Sequence, residues 1–376
     1  MQCNTQTKLL SIAPLSIYVL SWIAMGELIQ GLLTDWPATW FLTYCIKSGF
    51  VTSLLPYFVL RRVRLSRAAP LPLPVHERTL VVTAACLSPI STLCTITWYL
   101  SLSGTSVAGN SAVYQVATPF ALLLSAVFLR EAVTLRKLAC VGLALVGVAM
   151  VSLGGSAAGG RDTVQGYAWV VLSCFLYALY EVLYAMRAKP AAAGAPGLHQ
   201  GAEEEEALLA ADPTTAAAVA ADDAAAASAH LPPSGATAEQ ALLKAETAAL
   251  VLGTIGVATL LTQWPFFFIA SAAGWEKFSF PPPADKGRLV ALNVVLDSIY
   301  NLSLLWGISS SSAFAMQLAS TLVVPVGILA DWLLHGQLPT VLRGLGSLLI
   351  IAAVVGLDAP LPKVLCCAGR PSGEGV

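Results

Sequence analysis

Asn293, Asp297 and Asn301 stand four residues apart inside the apolar stretch Leu289–Trp306. Residues at i, i+4 and i+8 of a helix share one face, so these three predict a single polar stripe. Turned to lipid, a mid-span aspartate costs about 2.5 kcal/mol or more. The stripe must therefore face protein or water, with Asp297 either contacting a solute or proton or held in an interhelical hydrogen-bond cluster. Lys47 lies eight residues after Thr39, deep in another apolar stretch. It can pair with Glu27 or Asp297, bind an anionic solute, or reach back to the interface, and pairing is the favoured reading. Glu27 has no basic neighbour within a turn, and an ionisable group inside an apolar span marks function by default. Tyr177, Tyr180, Glu181 and Tyr184 follow at i, i+3, i+4 and i+7. An acid ringed by phenols suits a cation through charge and cation–π attraction. The alternative puts Glu181 at the membrane interface, six residues before Arg187, with Tyr184 in an aromatic belt.

Further polar residues recur at helical spacing: Ser88, Thr92, Thr95 and Tyr99; Asn110, Tyr114 and Thr118; Gln317 and Thr321. Serine and threonine carry little weight, because they bond their own i−4 carbonyls. Asn110, Tyr114 and Gln317 join the candidate site. Three intramembrane acids (Glu27, Glu181, Asp297) then face one base, Lys47. A site for nucleotide sugars should present several Lys or Arg to the phosphates. The balance instead predicts a cationic or zwitterionic solute, thiamine- or amine-like, with proton coupling as a companion expectation. No cofactor and no metal site are expected: the eight cysteines show no C-x-x-C spacing and there are only four histidines. No hydrolase, zincin or P-loop motif occurs, so no enzyme is expected.

The elements that must position these residues follow from composition. Of 376 residues, 57% are hydrophobic and 11% charged, with a mean hydropathy of +0.75. Soluble domains carry about 25% charged residues, so the deficit is more than twofold. A helix needs about 20 mainly apolar residues to cross a bilayer. Against that rule the chain offers ten windows: Leu9–Leu33, Thr39–Leu60, Leu80–Leu102, Thr105–Leu129, Leu138–Gly155, Gly166–Met186, Ala248–Ala270, Leu289–Trp306, Ser310–Leu334 and Leu345–Leu357, the last expected to start nearer Leu338. The first is too long for a signal-peptide core and lacks an A-x-A-like site, so it is expected to be retained. With the N-terminus in the cytosol, fourteen Lys and Arg fall on the cytosolic side, against Arg161, Lys277, Lys286, Arg288 and Arg343 opposite. That bias predicts both termini cytosolic. Between the halves, residues 189–239 carry five prolines, the run Glu203–Glu206 and Asp222–Asp223, which predicts a disordered acidic, Ala-rich cytosolic linker. Cys366–Cys367, soon after the last window, suit S-palmitoylation or stay free thiols.

The halves echo one another. The run Tyr99–Ser106 resembles Tyr300–Ser309 after a short insertion, and each is followed by a span with a central proline, Pro119 or Pro325. Five spans per half is odd, so the second copy enters the membrane inverted, as in secondary transporters with a midplane site. The run Gly104–Gln115, with Phe128–Thr134 beyond it, resembles the fourth span and following turn of the drug/metabolite transporter superfamily (EamA-like). Within it, Trp22–Leu28, Phe41–Tyr44 and Tyr177–Tyr184 are similar to the F branch of solute carrier family 35. The resemblance covers both halves but not the linker. It implies ten helices in two five-helix repeats, with a central cavity lined by spans 1–4 and 6–9 and with spans 5 and 10 peripheral. It implies no agreed substrate.

The reading is an all-α membrane protein of ten transmembrane helices in two inverted repeats, residues 1–158 and 159–376. Its expected function is secondary transport of a small polar metabolite by alternating access. A nucleotide-sugar transporter, a divalent-cation permease and a non-transporting scaffold are the alternatives. Its expected partners are a small-molecule substrate, the lipid bilayer and, as a homodimer, a second copy of itself. Nucleic acid is excluded because no basic patch is interleaved with aromatics. An endomembrane, Golgi or vacuole, is favoured over the plasma membrane.

Overall fold

The computed structural model describes residues 15–65, 75–153, 163–187, 234–280 and 284–358, except 26–27, 30–31, 34–35, 37, 103, 106–109, 111–112, 336–337 and 339. Of residues 234–239, 284–285, 330–331, 334–335 and 358 only the backbone is described. Glu27, the acidic run Glu203–Glu206 and Cys366–Cys367 lie outside the described residues. Every regular element among those described is helical. Among the described residues five helices are long and apolar enough to cross a membrane. They are α4 (Glu77–Leu102), α6 (Leu135–Leu153), α7 (Val164–Arg187), α8 (Ser234–Thr262, apolar from Gln240) and α10 (Ala284–Ser310, apolar from Lys286). At 26 residues, α4 is about 39 Å long, more than the roughly 30 Å of a hydrocarbon core. Helix α8 begins at Ser234, inside the segment expected to be linker.

The remaining apolar windows are broken, and the sequence supplies the breaks. Helix α1 (Leu15–Met25) opens the fold. The second window is α2 (Thr39–Ser48), a 3₁₀ segment Gly49–Ser53 and α3 (Leu54–Leu65). The 3₁₀ segment ends three residues before Pro56, which lacks the N–H that would bond the Thr52 carbonyl. The fourth window becomes α5 (Ala117–Phe128) and the ninth becomes α11 (Ala313–Ser320) and α12 (Val323–His335). Both bend by the same device. Pro119 cannot donate to the Gln115 carbonyl, and Thr118 N donates there instead at 3.1 Å. Pro325 cannot donate to the Thr321 carbonyl, and Val324 N takes its place at 3.1 Å. Helix α9 (Trp264–Ala272) starts anew after Gln263 because Pro265 fits only a first helical turn. Helix α13 (Val341–Asp358) closes the chain's described part.

Helices α7 and α8 form the buried centre. Helix α7 packs on α4 and α5, and α8 packs on α2, α3, α4 and α10. Glycines set the closest approaches. A Cβ on Gly256 of α8 would collide with the backbone of Phe50 and Val51, so the 3₁₀ segment lies directly on α8. Helices α6 and α13 pair with each other through Gly147 and Gly346. A Cβ on Gly147 would stand 2.6 Å from the Gly346 carbonyl oxygen. Gly147→Leu should therefore push the pair apart at an overpacking cost of about 1–3 kcal/mol. The expected result is a lower thermal unfolding midpoint of the purified protein in detergent; an unchanged midpoint would show that the pair yields freely.

Candidate functional site

The polar stripe of α10 faces inward. Asn293 and Asp297 are 0% and 3% exposed, Asn301 3%. Lys47, in the last turn of α2, reaches across and places Nζ 2.9 Å from Asp297 Oδ2. The approach of the two helices depends on Gly49, where a Cβ would strike the Val294 side chain of α10. Asn301 Nδ2 donates to Asp297 Oδ1 at 3.1 Å, so both carboxylate oxygens are occupied. Lys47 Nζ also lies 4.7 Å from the centre of the Phe50 ring, a cation–π distance. Of the partners open to Lys47 from the sequence, the structure gives it Asp297.

This pair borders a central cavity of about 40 Å³. Seven aromatic side chains wall it: Trp22 from α1, Trp98 and Tyr99 from α4, Tyr114 from the segment before α5, Tyr177 and Tyr180 from α7, and Tyr300 from α10. Trp22 is the hub, with ring centroids 5.2 Å from Trp98, 5.4 Å from Tyr114 and 5.2 Å from Tyr300. The Tyr180 hydroxyl is buried and without a hydrogen-bond partner. A cavity of this size holds about three waters and no metabolite of vitamin size. Beyond Tyr99, which borders both spaces, lies a wider cavity of about 470 Å³ lined by Thr39, Trp275, Glu276, Lys277 and Ser279. Glu276 there accepts the Trp40 N–H at 3.2 Å on each oxygen, capping the start of α2. Partial burial pushes the Glu276 carboxyl above the usual range, and the backbone N–H groups of Trp40, Thr39 and Phe41 pull it back.

Behind the aromatic wall three phenols close a ring. Tyr18 and Tyr177 hydroxyls are 3.1 Å apart, Tyr300 and Tyr18 are 2.9 Å apart, and Tyr177 and Tyr300 are also bonded. Glu181 lies one turn beyond Tyr177 on α7 and is fully buried among the helices. In the amide orientation that satisfies both groups, Gln317 of α11 donates to Glu181 Oε1 and Oε2 at 3.0 and 3.1 Å.

Of the residues singled out from sequence, Lys47, Tyr114, Tyr177, Asp297 and Asn301 line the central cavity. Glu181 and Gln317 meet behind it. Asn293 sits one turn from Asp297 with neither amide atom bonded. Asn110 is elsewhere: it donates to Ser101 and Thr105 and accepts from Trp98, fixing the end of α4 and one wall of the cavity. Glu27 lies outside the described residues. Sequence spacing missed Tyr18, Trp22 and Tyr300. The signal was there: Tyr18, Trp22 and Met25 stand at i, i+4 and i+7 of one helix face. Among the described residues no group of three His, Cys, Asp or Glu could hold a metal.

Comparison with known proteins bears on this geometry. Solute carrier family 35 member F5 of Pongo abelii is 25% identical over 288 residues, 71% of this chain and 44% of that protein. The Mus musculus protein of the same name is 26% identical over 266 residues, 66% of this chain and 40% of that protein. The chain thus matches less than half the length of these relatives. No protein-family model matches the chain. One crystal structure superposes with a TM-score of 0.56 at 12% identity, covering 94% of this chain and 96% of the other, which shows a shared fold. The chain is a multi-pass membrane protein distantly homologous to solute carrier family 35 member F5.

Proposed function

We propose that the protein is a secondary transporter that moves a small cationic or zwitterionic metabolite across its membrane by alternating access. The observation that carries this reading is the Lys47–Asp297 pair set against an aromatic wall. Two charges held out of water gain little over an apolar pair of the same volume, so their presence calls for a use. A zwitterion can replace each partner for the other, its ammonium going to Asp297 and its carboxylate to Lys47, and no buried charge is left alone. A cation of the thiamine or amine type would take Asp297 and lean on the aromatic faces, each worth about 0.5–2 kcal/mol. The unbonded Tyr180 hydroxyl offers a further polar contact to either.

A nucleotide sugar fits less well. Its diphosphate calls for several basic side chains, and among the described residues Lys47 is the only base lining the cavity, already neutralised by Asp297. The small central cavity and the wider one beyond Tyr99 suit an occluded step between two open states, in which the substrate enters only as the aromatic wall parts. The matching bends at Pro119 and Pro325 support two inverted five-helix halves; the charge bias of the sequence supports cytosolic termini, and an endomembrane setting is part of the same proposal. The full chain, reconstituted in liposomes, should take up thiamine or carnitine in counterflow, and both should raise its thermal unfolding midpoint. Uptake of UDP-glucose with neither thiamine nor carnitine moving would overturn the reading.

A further inference from the structure

Glu181 is fully buried, and among the described residues it has no ion-pair partner; the acids in ion pairs are Asp297, Glu246 and Glu131. A lone carboxylate out of water costs several kcal/mol unless hydrogen-bond donors surround it. The groups that face it come from every neighbouring helix. Helix α7 itself brings Tyr177 and Tyr180; α1 brings Tyr18; α4 brings Cys94; Tyr114 stands just ahead of α5; and α11 brings Gln317. None is a cation. All but the thiol are good neutral donors, and all can also accept.

That setting accommodates both forms of the acid. When Glu181 is ionised, the Gln317 amide nitrogen donates to both oxygens at 3.0 and 3.1 Å. When it is protonated, the same amide turned over offers its oxygen to the carboxyl O–H, with no other atom displaced. A purely structural acid would need only one of these fits. Glu181 does not line the central cavity, whereas Tyr177 and Tyr300 do, and Tyr177 also contacts Glu181. Each phenol in the Tyr18–Tyr177–Tyr300 ring both accepts and donates. A proton arriving from cavity water at the Tyr300 oxygen can therefore leave as the Tyr300 hydroxyl proton to Tyr18, whose own proton passes to Tyr177, and that of Tyr177 to a Glu181 oxygen. One proton moves, each phenol ends neutral, and the carboxylate becomes a carboxylic acid. Toward the Arg187 end of α7, Tyr184 is 1% exposed and bonded to Ser309 at 2.9 Å, which closes the other exit.

We propose that Glu181 is the coupling proton site of this protein, loaded from the central cavity through the ring of Tyr18, Tyr177 and Tyr300. The coupling role rests on the transport reading above, but protonation of Glu181 can be tested without any substrate. In infrared difference spectra of the purified full chain between acid and alkaline pH, a protonated-carboxyl band should appear. It should shift when the glutamates are isotope-labelled and vanish in Glu181→Gln. In liposomes, with thiamine as the probe, Glu181→Gln should keep thiamine exchange at equal pH and lose at least tenfold of the accumulation driven by a pH gradient. Absence of a titrating glutamate band in the labelled wild type overturns the proposal even if the variant does not fold. So does pH-driven accumulation left intact in Glu181→Gln. Wild-type protein that shows the band but moves neither thiamine nor carnitine by either route would refute the transport reading and keep the proton site.

Discussion

Asp297→Asn should abolish transport and weaken the fold in one step. The change keeps the size of the side chain and a group for Asn301 to bond, but it leaves the Lys47 ammonium, 5% exposed, without its counter-charge. Removing one member of a buried pair costs about 3–5 kcal/mol. The thermal unfolding midpoint in detergent should fall clearly, and thiamine or carnitine counterflow should drop more than a hundredfold, the factor that about 3 kcal/mol of lost binding gives. The double variant Lys47→Met/Asp297→Leu separates the two effects. With both charges gone, apolar packing should bring the midpoint back near that of the wild type, while transport stays lost. Wild-type transport by Asp297→Asn would remove the pair from the substrate site. A double variant that transports would show that the pair serves the fold alone.

The parts of this site that were legible from sequence are those where the lipid forbids any alternative. A lysine and an aspartate in separate apolar runs must find partners, and the i+4 stripe fixes the face they share, so Lys47, Asp297 and Asn301 come together as the spacing implies. Spacing misleads where the helix is not regular. Asn110, Tyr114 and Thr118 are four apart, yet they do not share one regular helix: the backbone turns at Gln115–Val116, ahead of Pro119. Tyr114 reaches the cavity while Asn110 binds the end of α4. The aromatic wall was legible only in part: Tyr18 and Trp22 share a helix face with Met25, but spacing alone does not tell a cavity-facing ring from a lipid-facing one until a tertiary contact such as Trp22–Tyr300 does. The depth of Glu181 depended on Tyr184, whose bond to Ser309 keeps the last turns of α7 inside the bundle rather than at its rim. Glu246 went unweighed because it stands just before an apolar run, where an acid normally meets headgroups.

Glu246 is instead fully buried, and its substitution should be the most damaging to stability outside the cavity. It lies on α8 and takes Arg61 Nη1 and Arg64 Nη2 of α3, each at 3.2 Å on Oε1, with Arg64 Nε against its other oxygen. One carboxylate thus balances two guanidinium groups, one of them on a side chain only 7% exposed. Glu246→Gln leaves Arg64 in low dielectric without a counter-charge, a loss of about 3–5 kcal/mol. It also frees α3 from α8 at the end of the bundle opposite the Glu276 cap. The Glu131–Lys137 pair provides the internal control. Its side chains are 25% and 21% exposed, and such a pair is worth about 0–1 kcal/mol, so Glu131→Gln should barely move the midpoint. Thermal unfolding of the two variants side by side, at low and high salt, decides the matter. If Glu246→Gln unfolds no earlier than Glu131→Gln, water reaches the arginines, and the clamp between α3 and α8 is held by apolar packing such as that of Leu54 on Gly253.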